Sequence, residues 1–186
     1  MTHLGTLRLE TERLVLRRFV ETDVGDMFSN WCNDPEVTKY LTWQPHGDIA
    51  VTREFTKTRM ENYAKNDFYS WAMELKSTGQ VIGTIAVVRQ QEDIAMAEIG
   101  YAMGKAWWNR GYMSEALRAV VKFFFEEVGM NRIEARHDPR NPGSGRVMQK
   151  AGMLYEGALR QADTNNQGIC DKACYAILAS EYWQDL

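Results

Sequence analysis

The stretch Trp107-Trp108-Asn109-Arg110-Gly111-Tyr112-Met113-Ser114-Glu115-Ala116 limits the possible folds more than any other part of this chain. It sets a glycine turn, with a cation beside it, directly before a strongly amphipathic segment. There Leu117, Val120, Val121, Phe124, Phe125 and Val128 recur at i, i+3, i+4 spacing, which predicts a helix from about Tyr112 to Val128 ended by Gly129. Ala95 to Met103, just upstream, reads as a strand. A strand, a tight turn and a helix start together present backbone N–H groups that the helix cannot satisfy, and such groups form an anion site. Gly111 lets a ligand approach the backbone, Arg110 adds charge, and the helix adds its positive end. On this stretch alone, a plain strand-to-helix turn explains the pattern equally well. No Gly-Lys-Ser/Thr follows and the three spaced glycines of a dinucleotide fingerprint are absent, so neither common nucleotide loop is present.

The rest of the chain supplies a framework for that turn. Thr11 to Phe19 alternates like a strand, with Leu14 and Leu16 on one side and Val15 and Arg17 on the other. Asp34-Pro35 looks like a helix cap followed by proline at the first helical position, and Asp48 to Ala64 reads as a charged helix. Tyr69–Leu75 and Val81–Arg89 flank Ser77-Thr78-Gly79-Gln80, as in a β-hairpin. Arg132–Arg136 is a short strand and Asn141–Ala151 a helix closed by Gly152. Met153–Arg160 and Ile169–Ala179 are final strands around a polar loop, Asp163–Gly168. The predicted order is β-α-α-β-β-β-α-β-α-β-β, an α/β (α+β) chain with a mixed sheet.

Composition narrows the function classes. At 186 residues, with 45% apolar and 25% charged positions, the chain fits one domain, residues 1–186, burying roughly 70% of its unfolded surface. A net charge of −3 and a pI near 5.7 argue against a nucleic-acid partner. No apolar run approaches the roughly 18 residues of a membrane span, and Met1–Glu10 lacks the apolar core of a secretory signal. Cys32, Cys170 and Cys174 form an odd set without metal-ligand spacing, so reduced thiols, a cytoplasmic location and no metal site are expected.

The element order and the turn together resemble the GNAT superfamily of acyl-CoA-dependent N-acetyltransferases. That family's signature, Gln/Arg-x-x-Gly-x-Gly/Ala, falls here on Trp108, Gly111 and Met113, so its outer positions differ. Trp107-x-x-x-Gly111-x-Met113-x-Glu115-Ala116 is similar to the branch that contains the ribosomal-protein N-terminal acetyltransferases. Glu12-Arg13-Leu14-Val15-Leu16-Arg17, Asp34-Pro35-Glu36-Val37 and Ala97-Glu98-Ile99-Gly100-Tyr101 belong to the same pattern. So do Asn141-Pro142-x-Ser144 and Lys150-Ala151-Gly152-Met153-x-Tyr155-Glu156-Gly157. The resemblance covers nearly the whole chain. It implies a mixed, mostly antiparallel seven-stranded sheet whose fourth and fifth strands splay apart, with acetyl-CoA as cosubstrate. By resemblance, the pyrophosphate lies on the backbone of Trp108, Asn109, Arg110, Gly111, Tyr112, Met113 and Ser114. The pantetheine arm then pairs with Tyr101, Ala102 and Met103, while Asn141 and Ser144 touch it from the other side. The acceptor is a primary amine, on a small molecule or a protein N-terminus, and relatives occur as monomers or homodimers.

Acetyl transfer to an amine needs a base, because a free alkyl ammonium holds its proton up to a pKa of about 10.4. Three carboxylates compete for that role. Asp163 follows Leu159-Arg160-Gln161-Ala162, where ribosomal-protein relatives carry a carboxylate; a solvated loop aspartate is its plainer explanation. Glu134 sits mid-strand, where an ion pair would serve as well, and Glu98 lies on the strand facing the expected slot. The family's frequent acid, a tyrosine, is replaced by Met148; by resemblance to the ribosomal-protein branch Ser144 is the candidate proton source, and orienting the thiolate or capping the helix would explain it as well. The loss of that tyrosine also motivates an alternative, a non-catalytic acyl-CoA-binding sensor. His137 could shuttle a proton or simply occupy a loop. By resemblance the loop Leu41-Thr42-Trp43-Gln44-Pro45-His46 shapes the acceptor site, where Trp43 and Trp71 are candidates for its wall or, as tryptophan more often is, partly buried core.

Overall fold

The computed structural model describes residues 1–184. Its strands are β1 Leu9–Glu10, β2 Leu14–Arg17, β3 Ser70–Leu75, β4 Val81–Gln91, β5 Met96–Met103, β6 Arg132–His137, β7 Leu154–Asn165 and β8 Gly168–Leu178. They form one eight-stranded sheet in the order β1-β2-β3-β4-β5-β6-β8-β7. The helices are α1 Val24–Met27, α2 Pro35–Thr38, α3 Ile49–Asn62, α4 Tyr112–Phe123, α5 Pro142–Lys150 and α6 Ala179–Gln184. Among the described residues, no helix is long and apolar enough to cross a membrane.

Every neighbouring pair is antiparallel except β5 and β6, which run parallel. That parallel ladder is short, pairing Met96 with Arg132, Ala97 with Ile133 and Glu98 with Glu134. Beyond it β5 stays with β4 while β6 stays with β8, so the two strands part. The expected splay is therefore present, between the expected fourth and fifth strands. The sheet has one strand more than the seven expected, because Leu9–Glu10 pairs with Leu16 and Val15 at the edge.

The two faces of the sheet carry different cores. One packs against α4, where Leu117, Val120 and Phe124 are fully buried and each contributes roughly 1.5–3 kcal/mol. The α-helix gives way to a π-turn at Phe124–Val128, and Gly129, at φ 78°, stops it as predicted. The other face meets a smaller cluster around Phe19, Met27 and Trp31. There the strands present small side chains: Ser70 lies opposite Ala86, Ala86 opposite Gly100, and Thr84 opposite Ala102. Small residues on that face leave a trough beneath the helices that cover it.

One element went unread in the sequence and two local expectations need correcting. The segment before Asn33 is helical from Glu21 to Cys32, passing through 3-10, α and π geometry. Its start lacks a side-chain cap of the usual kind; instead the Asp23 carboxylate accepts the Val20 N–H at 2.9 Å. The loop expected over Asp163–Gly168 is mostly strand, because Asp163 pairs with Cys170 and Asn165 with Gly168, leaving Asn166 and Gln167 as the turn. Trp71 is fully buried in the core among Tyr69, Phe123 and Phe124, and its indole N–H donates to the Leu7 carbonyl, so it is no acceptor wall.

Candidate active site

The turn before α4 has the geometry its sequence implies. Asn109 and Gly111 both lie in the left-handed region, at φ 61° and 82°. The first helical bond of α4 runs from the Glu115 N–H to the Gly111 carbonyl, so the N–H groups of Tyr112, Met113 and Ser114 find no backbone acceptor among the described residues. Their helix start is braced from across the chain. Glu115 accepts the Thr11 hydroxyl at 2.6 Å, the Arg13 N–H at 2.9 Å and the Arg13 guanidinium at 2.7 Å. Arg13 also donates to the Arg110 carbonyl at 3.0 Å and stacks over the Tyr112 ring. Two motif segments, Glu12-Arg13-Leu14 and Ser114-Glu115-Ala116, thus meet as an ion pair. The Arg110 side chain is exposed, and neither it nor Tyr112 lines the cavity described next.

A cavity of about 820 Å³ opens where β5 and β6 part. Trp108, Asn109, Gly111, Met113 and Ser114 line it at the α4 end. Tyr101, Ala102 and Met103 line it along β5, whose β6-facing edge has no ladder partner past Glu98. Asn141 and Ser144 close the opposite wall. Asn141 begins α5 but its side chain caps nothing there. The Tyr101 hydroxyl donates to the Ser144 carbonyl at 3.0 Å and shares a hydrogen bond with the Ser144 hydroxyl at 3.0 Å. Burial holds the Tyr101 phenol well above its usual range, so this pair is neutral. Met148 is buried in the core and does not reach the pair. His137 lines the cavity, yet its Nδ1 bonds the Asp138 carbonyl and its buried Nε2 has no partner. A Cβ on Gly145 would sit 2.8 Å from that Nε2, so α5 presses directly on the ring.

The candidate carboxylates separate cleanly. Glu134 is held by Arg132 at 2.7 Å and Arg89 at 2.9 Å, and it does not line the cavity. Glu98 and Asp163 both do. Each Glu98 oxygen accepts from an arginine at 2.9 Å, Arg89 on one side and Arg136 on the other. Among the described residues Asp163 pairs with no charged group but Arg136, at 3.3 Å, while its other oxygen accepts the Thr164 N–H. Arg136 therefore stands between the two carboxylates at the splay.

The far end of the cavity is made of side chains. Trp31, Trp43, Phe55, Arg59 and Thr84 line it. His46 instead packs behind, against Trp43 and Phe55, with its Nδ1 2.9 Å from the Thr52 hydroxyl. Burial, and secondarily the Arg59 charge, lower its affinity for a proton. The loop Leu41-Thr42-Trp43 is tied down by Asn166, which donates to the Trp43 and Thr38 carbonyls. Sequence reasoning missed Arg59 and Thr84. Arg59 had a signal, for it falls on the inward stripe Thr52, Phe55, Thr56, Arg59, Tyr63, where an arginine is out of place.

A mixed sheet splayed at one parallel pair, with a bare helix start beside it, offers a ligand both unpaired backbone donors and an open strand edge. The chain belongs to the acetyltransferase (GNAT) domain family, whose model matches residues 13–154. It is 30% identical over 174 residues to the uncharacterized N-acetyltransferase p20 of Bacillus licheniformis, covering 94% of this chain and 97% of that one. It is also 30% identical over 168 residues to the ribosomal-protein-serine acetyltransferase of Escherichia coli (strain K12), with 89% and 93% covered. Among solved structures it superposes with a TM-score of 0.83 on RimL, a ribosomal-protein acetyltransferase solved in complex with coenzyme A. That match covers 94% of this chain and 99% of RimL at 18% identity, so it speaks for the fold.

Proposed function

We propose that this protein moves an acetyl group from acetyl-CoA to a primary amine by direct attack on the thioester. The observation that carries the reading is the run of unbonded N–H groups at Tyr112–Ser114, of which Met113 and Ser114 line the same cavity as the unpaired edge of β5. Trp108, Asn109, Arg110, Gly111, Tyr112, Met113 and Ser114 offer the pyrophosphate a backbone cradle, a contact that tolerates side-chain change. Tyr101, Ala102 and Met103 offer the arm a strand edge, and Asn141 and Ser144 border it opposite. RimL, with coenzyme A bound, supports that choice of donor.

In this reading, the amine nitrogen forms a bond to the thioester carbonyl carbon as the carbon–sulfur bond breaks. A backbone N–H on the β5 edge steadies the oxyanion, where a preorganised donor is most effective. Asp163 accepts the amine proton, directly or through one water, since it faces the cavity with a single, longer ion pair. Glu98, held by two arginines, fixes Arg136 beside it. The Tyr101–Ser144 hydroxyl pair gives a proton to the departing thiolate and regains one from solvent water, to which Asp163 releases the proton it took from the amine. Similarity to the ribosomal-protein-serine enzyme supports a protein N-terminus as acceptor, and a small amine fits the same chemistry.

The test is calorimetric titration with acetyl-CoA, followed by an amine panel read by free-thiol release. Binding with amine-dependent thiol release is expected. Absence of binding overturns the reading, and binding without thiol release from any amine replaces it with the acyl-CoA sensor.

A further inference from the structure

The acceptor end of the cavity holds an arginine with no counter-charge. Arg59 projects from α3 with its guanidinium carbon 3.5 Å from the Phe55 ring centroid, and its Nε donates to the Ser70 hydroxyl at 3.1 Å. Its other two nitrogens donate to nothing among the described residues, and the side chain lines the cavity. Several other arginines near the cavity are paired: Arg17 with Asp23 and Glu74, Arg89 with Glu98 and Glu134, Arg136 with Glu98 and Asp163, Arg140 with Asp138. Arg146, on the α5 wall of the cavity, has no ion pair among the described residues but is exposed to water, whereas Arg59 is not. The titratable groups facing Arg59 do not replace a carboxylate. Tyr63 is a protonated phenol bonded to the Ser70 carbonyl, and burial pushes the Cys32 thiol up to about 12. His46 is biased toward its neutral form. Desolvation brings Arg59 down to about 10, which still leaves it charged near neutral pH.

A desolvated cation without a partner is costly, and a ligand anion is the natural compensation. A second, independent group lies on the same wall. Thr84 on β4 is 9% exposed and lines the cavity, and its hydroxyl has no partner. Trp43 and Phe55 provide an apolar surface around the guanidinium. The register adds a length. Ser70, which anchors Arg59, lies opposite Ala86, and Ala86 opposite Gly100 on the β5 edge, so two strand spacings, about 10 Å, separate that anchor from the splay.

We infer that Arg59 and the Thr84 hydroxyl form an anion-reading subsite, and that the acceptor is a small amine bearing a carboxylate or phosphate on an apolar body. The inference rests on the acetyltransferase reading of the same cavity. Its test compares phenethylamine with its ring para-carboxylate, and tyramine with tyramine O-phosphate, by thiol release. The anionic member of at least one pair is expected to exceed its neutral partner in kcat/KM by roughly tenfold, mainly through KM, and the better pair tells carboxylate from phosphate. In Arg59→Met that preference collapses, and Arg59→Lys restores part of it. Acetyl-CoA binding by each variant shows that it is folded. Neutral amines preferred in the wild type, or Arg59→Met slowing both members of a pair equally, overturns the inference. So does a preference confined to peptides over all four small amines. Failure of the acetyltransferase reading looks different: no acetyl-CoA binding, or no thiol release from any amine. The subsite is then judged by calorimetry alone, with phenylacetate and phenyl phosphate binding the wild type and not Arg59→Met as support. Phenylacetamide binding as well as both anions overturns it.

Discussion

The two ends of the cavity are built of different material. At the α4 end the groups left without partners among the described residues are backbone N–H donors, positioned by Gly111, by the left-handed Asn109 and by the Arg13–Glu115 brace beneath them. At the α3 end they are side chains, Arg59, Thr84, Trp43 and Phe55, standing over a sheet face of small residues. A backbone cradle keeps its donors when neighbouring side chains change, which is how Trp108 and Met113 can stand at signature positions that differ from the family's. A side-chain pocket changes what it recognises with each substitution. One end therefore suits a constant donor and the other a variable acceptor.

The largest expected effect lies at the junction of the two ends, where Arg136 stands between Glu98 and Asp163. Asp163→Asn should lower kcat by roughly a hundredfold, the scale of losing a general base, with the acetyl-CoA affinity little changed. Glu134→Gln, outside the cavity, should leave kcat within about threefold. Steady-state kinetics on both variants decide the matter, and equal losses would remove Asp163 from the base role.

Next in size is a direct attack on the backbone end. Gly111 sits at φ 82°, and a β-branched residue there carries roughly 1–3 kcal/mol of strain. Gly111→Val should therefore weaken acetyl-CoA binding by about tenfold or more while the acceptor KM stays near wild type. Trp108→Ala, which removes a side chain and its indole bond to the Met103 carbonyl but keeps every backbone N–H, should change the acetyl-CoA affinity by less than about threefold. Calorimetry on the pair tests whether this end is a backbone site; equal losses would make it a side-chain site like the other.

The same contrast explains what could be read from the sequence. Backbone requirements leave marks in residue type: Gly111 and Gly129 at left-handed positions, Asp34 and Asp48 as caps whose carboxylates accept the Glu36 and Ala50 N–H groups, Pro142 at a helix start. The splay was legible only through the family resemblance. The α3 end was hidden because its inward stripe holds Thr52, Thr56 and Arg59, polar residues that blur the helical period. The Glu21–Cys32 helix was missed because Val20 precedes it and the cap comes backwards, from Asp23. Asp163 was assigned to a loop because Gln161 turns left-handed and the ladder skips between Leu159 and Asp163, an irregularity that interrupts alternation. Trp71 was misassigned for a plainer reason, since a tryptophan in a strand looks the same whether it faces a pocket or the core.

A smaller effect tests the brace under the cradle. Burial raises the Glu115 carboxyl, but the Thr11 hydroxyl and the Arg13 N–H and guanidinium outweigh it and hold it below its ordinary 4.5. A carboxylate depressed in the folded state stabilises the protein above its unfolded pKa, and that contribution disappears as pH falls through the folded value. Glu115→Gln should thus cost about 1–2 kcal/mol near pH 7, seen as a lower Tm. The gap between variant and wild type should close on acidification below about 4.5. A gap that stays constant with pH would mean that packing, and not charge, holds the α4 start.

The smallest effect concerns a place where a side chain substitutes for backbone at the donor end. Past Glu98 no ladder joins β5 to β6, and the Tyr101 hydroxyl ties β5 to the start of α5 across the gap. Tyr101→Phe keeps the ring and removes that tie. The Ser144 carbonyl, already within α5, loses only a supplementary donor, so the stability cost should be about 1 kcal/mol. Turnover should fall by less than about fivefold, because the Ser144 hydroxyl still faces the cavity and can hand on a proton. Amide hydrogen exchange should rise along the first turn of α5 and leave the α4 start unchanged, since the latter is held by Arg13 and Glu115. Faster exchange at both helix starts would show that the splay walls move as one unit, and the division between a rigid backbone end and an adaptable side-chain end would then fail.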